Sequence, residues 1–137
     1  MQYWMLKSEP SAYSWDSLVK DGRTSWTGVR NHQAANNLRA MKQGDRGFFY
    51  HSNEGLAIVG VVEIVREAYP DPGDASGRFV TVDVAPLMPA KTPVTLTAIK
   101  ATKALAELAL VRQSRLSVSP VTAKEWRVLT KLAGIEA

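Results

Sequence analysis

The stretch from Arg46 to Val65 constrains this chain more than any other. GFFYHS and LAIVGVVEIV are both rich in β-branched and aromatic residues, and only Asn53-Glu54-Gly55, a turn signal, separates them. Two such runs so close together predict a long antiparallel hairpin, because each is the other's nearest pairing partner. Gly60 lies in the middle of the second run, where a residue without a side chain marks a bulge or bend, the device by which a sheet curls toward barrel closure. After Tyr69 to Gly77, a loop by its Pro, Asp, Gly and Ser content, RFVTVDV (Arg78 to Val84) alternates again and extends the hairpin to a three-stranded meander.

The flanks add helices and further strands. Gln2 to Lys7 alternates as a short strand and stops at Ser8-Glu9-Pro10, because proline cannot donate to a continuing ladder. Ser14 to Gly22 reads as a helix with Ser14 as N-cap, Asp16 at the positive end of the dipole and Gly22 as a left-handed stop. Ala34, Ala35, Leu38 and Met41 form the apolar face of a helix over Asn31 to Met41, closed by Gly44. Pro86 to Pro93 is predicted to be a proline-punctuated connection, Val94 to Leu110 short helical turns, and SRLSV (Ser114 to Val118) a last strand. Thr122 and Glu125 form a capping box for a C-terminal helix ending at Gly134. The order of elements is mixed rather than alternating βαβ, so the expected class is α+β, a single domain over 1–137 with a curled, largely antiparallel sheet.

Several chemistries are excluded or unsupported. The chain has no cysteine, which removes disulfides, thiolate metal sites and cysteine nucleophiles, and two histidines do not make a metal site. Ser17-Leu-Val-Lys20 has the S-x-x-K spacing without its partner motifs, and neither G-x-S-x-G nor a phosphate-cradling glycine loop occurs. No pair of carboxylates has a spacing that implies a shared proton. The expectation is therefore a protein without catalytic residues, metal or cofactor. The N-terminus lacks the basic lead and apolar core of a secretory signal, so a soluble, cytoplasmic location is expected. The net charge of +4 fits a phosphate-bearing partner and a merely basic protein equally well.

Three groups of residues are candidates for a site. Lys100, Lys103, Arg112 and Arg115 are opposed only by Glu107, and form either a local cationic surface for phosphates or a solvated face. Period-two alternation puts Phe48 and Tyr50 on one face of the first hairpin strand and Phe49 and His51 on the other. Both faces are then simply packed, or the strand end contributes an aromatic or imidazole wall to a pocket. Of the four tryptophans, Trp26 lies outside any apolar period, between Ser25 and Thr27 and next to Gly28. Read as a pocket wall, it is expected to be removable with the fold nearly intact.

YWMLKSEP, WTGVRNHQAANN, FFYHSNEG, IVGVVEIV and SRLSV, in that order and spread over the whole chain, resemble the EVE domain of the PUA-like superfamily, a relative of the YTH readers of methylated adenine. The resemblance implies a curled, PUA-like β-barrel flanked by short helices, with a concave pocket. It implies non-catalytic binding of nucleic acid carrying a modified base, notably modified cytosine in DNA, with RNA suspected by kinship. It places the pocket at Trp26, Gly28, Val29, Arg30 and Asn31, at Lys7 and Ser8, and at Tyr50, His51 and Ser52. His32 stands where many relatives carry a tyrosine. In such a pocket Trp26 would be the stacking wall, Asn31 would read a Watson–Crick edge, and Ser8 and Ser52 would fix an exocyclic group. Arg30 and Lys7 would hold phosphate or cap a carbonyl, and Gly28 would let backbone approach the ligand closely. The rival reading is a sensor or small enzyme acting on a free nucleoside or other planar metabolite, which unlike a polymer reader would be insensitive to salt.

Overall fold

The computed structural model describes all residues, 1–137. The hairpin is present as β3 (Arg46–His51) and β4 (Ala57–Pro70), and β5 (Val80–Thr95) completes the meander. β1 (Tyr3–Ser8) runs parallel to β3, while β6 (Val118–Val121) pairs antiparallel with β1 and the two-residue β2 (Thr24–Ser25) with β5. The result is a six-stranded, mostly antiparallel sheet in the order β2-β5-β4-β3-β1-β6. The helices are α1 (Trp15–Asp21), α2 (His32–Ala40), α3 (Leu96–Ala101), a 3-10 turn (Lys103–Leu105), α4 (Ala109–Arg112) and α5 (Ala123–Ala133). No helix is long and apolar enough to cross a membrane.

The caps form as their chemistry requires. Ser14 Oγ accepts the Ser17 amide, Gly22 closes α1 at φ +75°, and Thr122 and Glu125 complete a reciprocal box at the start of α5. Asn31 caps α2, its Oδ1 accepting the Ala34 amide at 3.0 Å.

Two expectations change. Pro86 to Pro93 is not a connection but part of β5, paired with β4 through register shifts at Pro86 and Pro89. β2 reaches only Val84 and Asp83, so beyond Ala85 the second edge of β5 is free and the missing proline N–H groups leave no ladder unfilled. The last strand begins at Val118 instead of spanning SRLSV.

The sheet has a core on each face. One contains Trp4, Leu6, Trp15, Leu18, Trp26, Phe49 and the apolar face of α2. The other contains Met5, Phe48, Tyr50, Ile58, Val61 and the residues of α3, α4 and α5, with the Trp126 indole stacked between Tyr3 (4.4 Å) and Phe48 (4.0 Å). Gly60 sits beside the expected bulge: Phe49 pairs with Gly60 and Tyr50 with Ile58, so Val59 is the extra residue and the inside–outside phase of β4 resets there. A Cβ on Gly60 would lie 2.4 Å from the Trp15 indole, so the ring of α1 fills the place of the absent side chain.

The sheet curls but does not close, since its edge strands β2 and β6 do not pair with each other. α2 spans the opening, packing on β4, β5 and β6, and Asn37 Nδ2 donates to the Val118 carbonyl at 2.7 Å. This arrangement brings the end of β1, the β2 segment and the 113–116 loop to one side of the molecule.

Candidate functional site

A cleft of about 250 Å³ opens where β1 ends beside β2. Lys7 and Ser8 line it from β1, Tyr13 from the approach to α1, and Thr24 to Thr27 from β2 and the residues after it. Trp26 is the aromatic wall. Its amide donates to the Val82 carbonyl at 2.8 Å, and its ring meets Phe49 edge-on at 5.5 Å, leaving 8 % of the residue exposed. Ser8 Oγ donates to the Tyr13 carbonyl (2.6 Å), and the Tyr13 hydroxyl donates to Asp21 (2.8 Å). Ser25 sits beside Asp83, its cross-strand partner, with Tyr69 close by.

Lys7 is half-buried, and burial pulls its ammonium below the ordinary lysine value. It makes no ion pair. Its Nζ instead donates to the Ser114 carbonyl at 2.7 Å, leaving two N–H donors free.

That bond joins the cleft to a second one, of about 340 Å³, whose lining is almost wholly polar: Asn31 and Gln33 from α2 face Arg112 to Arg115 across it, with Leu116 as its apolar member. Gln33 Nε2 donates to Gln113 Oε1 (2.9 Å). Arg112 pairs with Glu107 at 2.9 Å, a link between two exposed side chains that holds each weakly, and Arg115 has no ion pair. The two clefts together set an aromatic wall, a lysine and two arginines along one side of the protein.

Asp71 organises the segment Gly28 to Asn31. Its side chain is wholly buried; Oδ2 accepts the Gly28 amide and Arg30 Nη1, each at 2.9 Å, and Oδ1 accepts the Gly73 amide at 2.8 Å. Burial pushes this carboxyl up, but the Gly28 amide, the Arg30 guanidinium and the Gly73 amide outweigh it and hold Asp71 below the usual carboxylate range. Arg30 also lies over the Phe79 ring at 5.5 Å, and His32 stacks on the same ring at 5.1 Å. Gly28 is required for its φ of +86°, which a side chain would strain; the space a Cβ would occupy is open.

The structure therefore redistributes the expected site residues. Lys7, Ser8 and Trp26 line the first cleft, Asn31, Arg112 and Arg115 the second. Trp26 is also a core residue, which corrects the expectation that the fold would hardly notice its loss. Val29 (6 % exposed) is buried beneath α2, and Tyr50 (2 % exposed) faces the opposite core, because alternation along β3 turns it away from the side that Phe49 shares with Trp26. Both are corrected to packing residues. His51 is not among the residues that line the cleft, and its Nε2 accepts the Trp15 amide at 3.1 Å, while the Ser52 amide donates to the Ser8 carbonyl at 3.0 Å and ties β3 to β1. The Asn31 oxygen is committed to the α2 cap, so its amide nitrogen is what it offers the second cleft. Arg30 is bound to Asp71. Lys100 and Lys103 sit on α3 and the 3-10 turn, which pack on β5 and α5 away from both clefts.

Sequence reasoning passed over Tyr13, Thr24, Ser25, Thr27, Asp71, Phe79 and Asp83. Asp71 carried one signal, an acidic residue between two prolines in a loop; the others carried none.

The profile of the EVE domain matches residues 2–132. Thymocyte nuclear protein 1 of Gallus gallus is 38 % identical over 95 % of this chain and 68 % of its own length. The solution structure of Rpa0253 from Rhodopseudomonas palustris is 57 % identical, with a TM-score of 0.94 over 100 % of this chain and 97 % of that one. The crystal structure of human THYN1 in complex with 5-methylcytosine-containing DNA superposes with a TM-score of 0.92 at 32 % identity, covering 100 % of both chains. With a curled sheet spanned by α2, the ordered WTGVRN segment and these relatives along its whole length, the chain belongs to the EVE domain family.

Proposed function

We propose that this protein binds DNA carrying a modified cytosine, without catalysis, taking the base into the cleft walled by Trp26 and the adjoining phosphates into the cleft of Arg112 and Arg115. The observation that carries this reading is the Lys7–Ser114 bond, which sets an aromatic cleft directly beside a cationic one. A base must leave its stack to be inspected, and an aromatic wall offsets that cost by about 1–3 kcal/mol. The backbone on either side of the extruded nucleotide then needs cations. The complex of human THYN1 with 5-methylcytosine-containing DNA supports the ligand class.

The test is fluorescence anisotropy with one oligonucleotide sequence as DNA duplex and as RNA, each with cytosine or 5-methylcytosine at one position, at several salt concentrations. Tightest binding to the methylated DNA, with affinity falling steeply in salt, is expected. The double variant Arg112→Gln/Arg115→Gln should flatten the log–log salt slope by about 0.9 for each phosphate that the protein no longer neutralises. Equal affinity for all four probes, or a salt-independent preference for free 5-methyldeoxycytidine, would overturn it.

A further inference from the structure

The cations of this chain are unevenly distributed. Residues 88–137 contain eight lysines and arginines against Glu107, Glu125 and Glu136, so the whole of the +4 net charge lies in this part. Arg112 and Arg115 line the second cleft, and the other six lie outside both clefts. Three of the six, Lys124, Arg127 and Lys131, occupy positions i, i+3 and i+7 of α5. All three are exposed, on the side of the helix opposite its buried Trp126, Leu129 and Ala133. None makes an ion pair, and the one acid within α5, Glu125, is buried in the capping box. Beyond the end of the helix the Lys91 stem passes Gly134, its Cβ 3.5 Å from where a side chain there would begin, and brings a fourth cation to the same end. Trp126 and Leu129 belong to the core on one face of the sheet and Trp26 to the core on the other, so this basic stripe and the aromatic cleft lie on opposite sides of the molecule.

We infer that the outer face of α5 holds the phosphates of a second DNA segment, without reading its sequence or modification, while the two clefts engage the first. The spacing fits a duplex. Lys124 to Lys131 spans about 10 Å at 1.5 Å per residue, which is the length of about three phosphates of one strand at 3.4 Å each. Three cations thus meet three charges of the facing strand. Other anionic partners fit less well. With Trp126 and Leu129 buried, α5 keeps no apolar side to insert into a membrane, and Leu132, its one exposed large apolar residue, does not make the apolar centre of a protein interface. Because α5 and Trp26 lie on opposite sides of the sheet, the duplex that delivers a base to Trp26 and the duplex on α5 are different segments. A protein held on one segment through α5 meets the bases of a neighbouring segment at high effective concentration. The α5 contact does not depend on how the first cleft treats a base.

The test mixes a short donor-labelled duplex carrying 5-methylcytosine with an unmodified acceptor-labelled duplex, and follows energy transfer between them as the protein is added. The wild-type protein should bring the two together at low salt. Three phosphates give a log–log slope of about 2.7, so affinity for the acceptor duplex should fall roughly fortyfold for a fourfold rise in salt. The triple variant Lys124→Gln/Arg127→Gln/Lys131→Gln should abolish transfer while binding the donor duplex as wild type does. Its melt should stay close to wild type, because the three side chains are exposed. The charge-preserving variant Lys124→Arg/Lys131→Arg should retain transfer. Absence of transfer with the wild-type protein, or undiminished transfer with the triple variant, would show that the stripe is a solvated face and would overturn the inference. Equal affinity of the wild-type protein for methylated and plain duplexes would count against the base-site reading alone, since transfer would still report on α5.

Discussion

Replacing Gly60 by alanine tests how α1 is seated on the sheet. A new Cβ would lie 2.4, 2.5 and 2.6 Å from three ring carbons of Trp15, where ordinary contacts begin at 3.4 Å. The atoms met belong to a rigid ring. That ring packs edge-on against Phe49 at 5.6 Å, and the Trp15 amide is bonded to His51, so the ring is hindered from sliding away. Overpacking of this kind costs about 1–3 kcal/mol, and the locked ring puts this site at the upper end. Alanine recovers about 0.5–1 kcal/mol of backbone entropy relative to glycine in a strand. The net expectation is about 2 kcal/mol of destabilisation, or a midpoint lower by roughly 8 °C for a chain of this length. Urea unfolding followed by tryptophan fluorescence should show a lower midpoint with an unchanged slope. In a Trp15→Leu background the same substitution should cost nothing, because the clash is with the indole, which gives a coupling energy of about 2 kcal/mol. A Gly60→Ala protein that melts within about 1 °C of wild type would refute the argument that the indole fills this position.

Asp71→Asn retains shape but offers one acceptor and one donor to three N–H groups, so it should destabilise by about 2–3 kcal/mol and raise amide exchange at Gly28 and Gly73, as hydrogen exchange would measure. Trp26→Ala should cost about 3–5 kcal/mol of stability as well as binding, whereas Trp26→Phe should fold near wild type and retain weakened binding; an Ala variant that melts like wild type would return Trp26 to the surface. His51 accepts the Trp15 amide and therefore works unprotonated at Nε2. Burial, opposed by Asp16, lowers its pKa below the ordinary imidazole value. The folded state thus binds the proton less readily than the unfolded chain. Stability should be complete above about pH 6.5 and decline as pH falls through the folded value, and His51→Gln should remove that decline between about pH 6.5 and 5, before the carboxylates titrate.

The features legible in the sequence were those written within a few residues. The hairpin of β3 and β4, the bulge beside Gly60, the caps at Ser14 and Thr122 and the left-handed glycines each depend on neighbours one to four positions away or across a short turn. Family resemblance named segments that contribute residues to the two clefts, because motifs are contiguous. It did not say which way their side chains face. Tyr50 and Val29 belong to matching motifs and are packed inside, while Ser25 and Tyr13, beside the motifs, line the cleft.

What the sequence determined by itself was an α+β chain with a curled meander, no disulfide chemistry, and a WTGVRN segment leading into a helix. The tertiary structure decided which polar groups meet. Gly28 finds Asp71 across 43 positions, Ser25 finds Asp83 across 58, and Lys7 finds Ser114 across 107. No periodicity spans such separations, because these contacts follow from how far the sheet curls and where α2 bridges its open side. The prolines of β5 carry the same lesson. They read as a loop until the extent of β2 leaves their edge unpaired, since whether a missing N–H matters depends on the neighbouring strand and not on the proline.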